Sequence, residues 1–291
     1  MKERIKDKLR KYKLIVSLYR KLRGTKREGT GWEKVAKQLK DKQILFCKDN
    51  PSVETLHLEI DQINKKQISE WGAMVYCGGA LYQGYNKLGL FGVKPTEDRL
   101  ERYDAFRYIN SESCVLDIGS NAGFMSCEIA TKAKSVLALE YNNYLNEIGR
   151  ATANHLDLKN VEFLDKDFQK FSSERRFDCV LSLSNHHTID GGLNISFEQY
   201  INKIYNLMAD GGILLFESHN VWVDDSDLAE KFKIASKYFE LERSKMVEAF
   251  FKPDIDKLFA VFRRRDQIFN GDSLLNFDFS KAIEAYDFIE Y

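Results

Sequence analysis

Between residues 111 and 268, apolar runs alternate with amphipathic stretches, a pattern that predicts strands separated by helices. Val115-Leu116-Asp117-Ile118 reads as a buried strand running into a glycine-rich turn, Gly119-Ser120-Asn121-Ala122-Gly123, with a helix beginning near Phe124. A second apolar run, 135–139, ends on Glu140. A third strand at 161–164 leads into Asp165-Lys166-Asp167-Phe168, and 177–184 reads as a fourth. Residues 207–217 read as a helix end, a Gly211-Gly212 turn and a fifth strand. Then come a helix over 224–238 and two closing strands over 239–247 and 258–264.

The flanking regions are patterned differently. In residues 1–27, Ile5, Leu9, Tyr12, Val16, Tyr19 and Leu22 recur at spacings of 4, 3, 4, 3 and 3, one apolar stripe on a helix. Twelve Lys/Arg against two Asp/Glu make the other face cationic, so the overall charge of zero conceals +10 here and −10 in the remainder. Such a helix suits an anionic membrane surface, an RNA backbone or an acidic partner, or it packs on the domain with a solvated basic face. Residues 28–110 form a helical and lid region. Its glycine- and aromatic-rich stretch from Trp71 to Tyr85 is weakly periodic, as binding loops are, and a helix opens at Thr96 with Glu97 and Asp98 in its first turn. The tail, 269–291, is aromatic and acidic and is expected to pack back on the core.

Composition narrows the class. With 291 residues, 44 % of them hydrophobic, there is chain enough for one large domain with additions, and three prolines argue against a long disordered linker. No apolar run approaches the ~20 residues that span a bilayer. The opening segment is charged throughout and lacks a secretion signal's apolar core. Five cysteines without Cys-x-x-Cys spacing fit a reduced, cytosolic setting, with possible peripheral contact at the inner membrane face.

Strand, tight glycine turn, helix and second strand ending in a carboxylate make a nucleoside-binding βαβ unit, with Glu140 placed to accept the hydroxyl protons of a ribose. The dinucleotide fingerprint is absent: its three glycine positions read Gly119, Asn121 and Phe124, and Phe124 is too bulky for the third. No Lys-Ser/Thr follows, which excludes a phosphate-cradling loop.

On these residues the chain resembles the class I S-adenosylmethionine-dependent methyltransferases. Asp117, Gly119 and Gly123 match the acid and glycine turn of their first motif, with Asn121 in place of the middle glycine, and Glu140 matches the second-motif acid. The resemblance implies a doubly wound α/β sheet of seven mostly parallel strands in the order 3-2-1-4-5-7-6, strand 7 antiparallel, with an N-terminal helical extension. It implies S-adenosylmethionine as cofactor, held by Asp117, Gly119, Asn121, Gly123, Phe124 and Glu140, by Asp167 and Phe168 at the adenine, and by Ser184 at the fourth strand's end.

The acceptor side is less determined. The fourth strand ends Ser184-Asn185-His186-His187, without the Asn/Asp-Pro-Pro-aromatic run of adenine-N6 enzymes or the Pro-Cys of cytosine-C5 enzymes. A histidine there suits deprotonation of a hydroxyl, so His186 and His187 are the catalytic candidates. Tyr82, Gln83, Arg99, Tyr103, Asn185, Glu217 and His219 are expected to line the acceptor. Glu217 and His219 show no metal-ligand spacing, and no metal is expected. The expected function is O-methylation of a glycan or another small or envelope-precursor acceptor. The alternatives are an RNA (tRNA) alkyl transferase and a non-catalytic adapter of the same fold.

Overall fold

The computed structural model describes residues 32–71, 81–186, 194–222, 226–249, 256–269 and 277–284. Residues 1–27, His187 and most of the 269–291 tail lie outside these. The chain divides into two compact units, Thr30–Leu181 and a second built on Ser182–Tyr291.

The first unit opens with helices α1 (Trp32–Asp49) and α2 (Glu54–Trp71), broken at Pro51, which starts a short 3₁₀ turn between them. Val53, Leu56 and Ile60 join one core with Tyr85, Leu88, Leu90, Phe124, Ile148 and Phe163. Two short parallel strands follow, β1 (Leu81–Gly84) and β2 (Gly92–Pro95). They meet so closely that a Cβ on Gly92 would lie 2.2 Å from the Gln83 carbonyl oxygen, which is why glycine stands there. Helix α3 (Thr96–Arg102) begins where the sequence predicts, but Thr96 is its first helical residue and makes no side-chain cap; Pro95 occupies the cap position.

The unit continues with β3 (Cys114–Ile118), α4 (Phe124–Ala130), β4 (Ser135–Glu140), α5 (Asn143–His155), β5 (Val161–Asp165) and β6, which runs Phe177–Leu183. β4 pairs in parallel with both β3 and β5, Asp117 facing Ala138 and Glu140 facing Asp165. β3 and β4 are almost continuously apolar because both faces of a parallel sheet are covered, whereas β5 at the sheet edge is only partly buried.

The second unit carries α6 (Phe197–Leu207), β7 (Met208–Glu217), α7 (Leu228–Ala235), β8 (Phe239–Glu248), β9 (Asp256–Arg264) and α8 (Phe279–Glu284). A Ser196–Gln199 capping box starts α6. Gly211, expected in a turn before the fifth strand, instead lies inside β7, which begins directly after α6; its φ of +69° is accommodated within the strand. Of the helix expected over 224–238, the described residues form Leu228–Ala235, and residues 224–225 lie outside the description. Phe277 and Phe279 of the tail are buried, with Phe277 edge-on to Phe232 at 4.7 Å. The sheet has seven strands in the order β5-β4-β3-β6-β7-β9-β8, mostly parallel, with β9 antiparallel to β7 and β8. That is the expected order and the expected antiparallel member.

Candidate active site

The turn after β3 is built from three left-handed residues, Gly119 (φ 68°), Asn121 (φ 53°) and Gly123 (φ 72°). Asparagine is among the few side chains that tolerate this region, which explains how the middle glycine can be replaced without losing the turn. The close approach that a third glycine would allow comes from elsewhere. A Cβ on Gly123 or on Gly149 of α5 would each lie 2.4 Å from the Phe163 ring of β5. Phe124 is fully buried at the start of α4 and packs on Tyr85.

Glu140 closes the far side of the turn. Its Oε2 accepts from the Asn121 backbone N–H and its Oε1 from that of Asn142, both at 3.1 Å. Burial pushes its pKa up, opposed by the backbone N–H bonds of Asn142, Asn121 and Tyr141. Asn142 then caps α5 through Oδ1, which accepts from the Tyr144 N–H. Tyr141, missed in the sequence, is an aromatic residue 41 % exposed beside Glu140. Its signal was available: it directly follows the strand-ending carboxylate.

Asp117 is buried and accepts from Ser126 Oγ at 2.6 Å. Desolvation raises its pKa to about 6, against the Ser126 hydrogen bond and the positive charge of Arg99. Asp167 uses Oδ1 to accept from Gln169 N–H, opening a 3₁₀ turn that buries Phe168. Asp165 is tied instead to Asn146 and Arg150 at 2.7 and 2.9 Å, fixing the end of β5.

Among the acceptor candidates of this unit, Gln83 turns toward the glycine turn: its Nε2 donates to the Ser120 carbonyl at 3.0 Å. Tyr82 lies under the Lys94 ammonium at 4.9 Å. Arg99 stacks on Tyr103 at 5.7 Å, and Tyr103, only 3 % exposed, is a core residue rather than a lining one. Three buried polar atoms around the turn have no hydrogen-bond partner: Gln83 Oε1, Ser120 Oγ and Asn142 Nδ2. Buried polar groups of this kind are rarely left unmatched. An acceptor by the turn and a donor by Glu140 fit a nucleoside-bearing ligand with its own polar groups on both sides.

In the second unit the end of β6 forms another cluster. Ser184 has φ 61°, and its Oγ donates to Glu217. Lys257 of β9 donates to Ser184 Oγ and, at 2.9 Å, to Glu217 Oε1. Ser184, grouped in the sequence with the cofactor residues, is therefore engaged in an ion-pair network with Glu217. Lys257 was not singled out; a lysine heading an apolar strand, with its partner forty positions away, carries little local signal. Asn185 Oδ1 accepts from Tyr200 at 2.8 Å and from Ser182 at 2.9 Å. His186 is buried among Phe216 (4.9 Å), His219 (5.4 Å) and Phe197 (5.8 Å).

Residues 109–262, more than half the chain, match the methyltransferase domain family, and the chain belongs to it. It is an S-adenosylmethionine-dependent methyltransferase. No curated protein sequence matches. Among solved structures, the chain is similar to N-methyltransferase NodS from Bradyrhizobium japonicum WM9 in complex with S-adenosyl-L-homocysteine. Identity is 16 %, over 74 % of this chain and 99 % of that one, with a TM-score of 0.49. It is also similar to the M. jannaschii tRNA m1G37 methyltransferase, at 16 % identity over 58 % and 50 % of the two chains (TM-score 0.46). A third likeness is to an rRNA methylase from Streptococcus thermophilus, at 14 % over 59 % and 96 % (TM-score 0.45).

Proposed function

We propose that this methyltransferase acts on a hydroxyl of a glycan or related envelope precursor, with His186 taking the proton. The carrying observation is the set at the ends of β6, β7 and β9: the Ser184 hydroxyl, Glu217 and Lys257, beside aromatic rings around His186. Paired donors and acceptors next to ring faces suit a polyhydroxylated acceptor, whose C–H faces pack on rings while its hydroxyls need both kinds of partner. S-adenosylmethionine, when bound, supplies an electrophilic methyl group. This chain's part is to orient the hydroxyl and hold its proton on imidazole, a group whose ordinary pKa suits that task near neutrality.

Peripheral contact with an anionic membrane, where lipid-linked acceptors sit, belongs to the same reading. The apolar stripe and cationic face that the sequence of residues 1–27 predicts support it. So does the outward face of α1, where Ile44 (48 % exposed) and Leu45 (59 %) stand among exposed Lys37, Lys40 and Lys48. No helix of the described residues is long and apolar enough to cross a membrane.

The test is methyl-labelled S-adenosylmethionine incubated with the protein and either extracted lipid-linked oligosaccharide or tRNA. Label is expected in the glycan fraction and lost in His186→Ala, with S-adenosylhomocysteine affinity kept. Loss of a general base lowers turnover by about 10²–10⁴. Label in RNA alone, or full turnover by the variant, overturns the reading.

A further inference from the structure

Gln83 stands outside the residues that match the methyltransferase family, yet it is built into the first unit's glycine turn. Its backbone is clamped: the Gly92 main chain lies against its carbonyl so tightly that no side chain fits between them. Its side chain is 5 % exposed and spans to the turn, with Nε2 donating to the Ser120 carbonyl. That bond decides which way the amide faces and leaves Oε1, buried and without a partner, as a pure acceptor beside the turn. An acceptor sealed from water requires a donor. On the other side of the turn, the Glu140 carboxylate accepts from the Asn121 backbone N–H and is the group expected at the nucleoside end.

We propose that Gln83 is a cofactor-binding residue whose Oε1 accepts from the α-ammonium of the cofactor's methionyl end. The neighbouring chemistry agrees. Asp117 lies in β3 two residues before Gly119, which puts a carboxylate at the start of the same turn, and the Arg99 charge that acts on Asp117 suits the ligand's carboxylate. The role first expected for Gln83, lining the acceptor, is thereby replaced by discrimination of the amino-acid end of the cofactor. The proposal rests on the S-adenosylmethionine reading, and the probes separate the two.

Calorimetry on the full chain with S-adenosylhomocysteine, its deaminated analogue and 5′-methylthioadenosine, which lacks the amino-acid end, provides the test. The unaltered protein is expected to bind S-adenosylhomocysteine at least about tenfold more tightly than the deaminated analogue, the scale of one charge-assisted hydrogen bond. Gln83→Leu should narrow that gap severalfold, Asp117 keeping the rest, while leaving 5′-methylthioadenosine affinity within about twofold of the original, since the turn and Glu140 persist. Equal weakening toward all three ligands would mean that Gln83 only props up the turn, and the proposal falls. It also falls, without recourse to any variant, if the unaltered protein binds the deaminated analogue as tightly as S-adenosylhomocysteine. Failure to bind any of the three removes the cofactor reading itself.

Discussion

Lys257 of β9 and Glu217 at the end of β7 form a 2.9 Å ion pair in which the carboxylate side chain is 2 % exposed and the lysine 10 %. Little water reaches the pair, so the charges are compensated by protein groups, each other and the Ser184 hydroxyl among them. Lys257→Met removes the cation beside a buried carboxylate and is expected to destabilise the protein by about 3–5 kcal/mol, whereas Lys257→Met with Glu217→Leu should restore much of the loss. Urea melts of the three proteins check this. Equal destabilisation of the single and double variants would show that the pair is not energetically coupled.

Glu140 should dominate nucleoside affinity. Glu140→Ala removes a carboxylate expected to accept from ribose hydroxyls, in bonds worth about 1.5–3 kcal/mol each, so S-adenosylhomocysteine binding should weaken at least about tenfold. The variant also loses the acceptor for the Asn121 and Asn142 N–H groups. Thermal melts without ligand, run beside the calorimetry, separate that local loss from the binding effect.

Asp117 makes the stability of the ligand-free protein depend on pH. Its folded value of about 6 lies above the ordinary 3.8, so the fold prefers the neutral acid. The stabilisation is complete below pH 4 and is lost as pH rises through 6, a difference of about 3 kcal/mol. Asp117→Asn should flatten the stability profile between pH 4 and 7. It should also abolish the rise in S-adenosylhomocysteine affinity expected as the carboxyl ionises to meet an ammonium. An unchanged profile would mean that Asp117 does not titrate there.

The packing of α5 on β5 tolerates no methyl at position 149. Gly149→Ala places a Cβ 2.4 Å from the Phe163 ring, and overpacking of this kind costs about 1–3 kcal/mol. Phe163→Leu in the same chain should recover part of the loss. Additive losses in denaturation would show that the two positions do not share the space.

The strands were legible as apolar runs, whereas their order in the sheet came from the resemblance to the methyltransferases that Asp117, the glycine turn and Glu140 carry. Glu140 and Asp117 were readable for the same reason: each ends or nearly ends such a run. Gln83 and Lys257 were not assigned their places because their meaning lies in distant partners, Ser120 and Glu217, that no local spacing encodes. Gly92 is similar, since the close approach of β1 and β2 that requires it exists only once the two strands are paired. The helix over 224–238 was overestimated because apolar periodicity continues past Ala235, through Tyr238 and Phe239, where the chain already turns toward β8.

Ser184 sits in a backbone conformation that suits glycine, yet it holds a hydroxyl against Glu217 and Lys257. Ser184→Gly would relax that backbone but remove a hydroxyl shared by two buried charges, where each such hydrogen bond is worth about 1.5–3 kcal/mol. The strain of one residue is thereby offset by the charges it serves, so the usual remedy of placing glycine at a left-handed position is the wrong one for stabilising this enzyme.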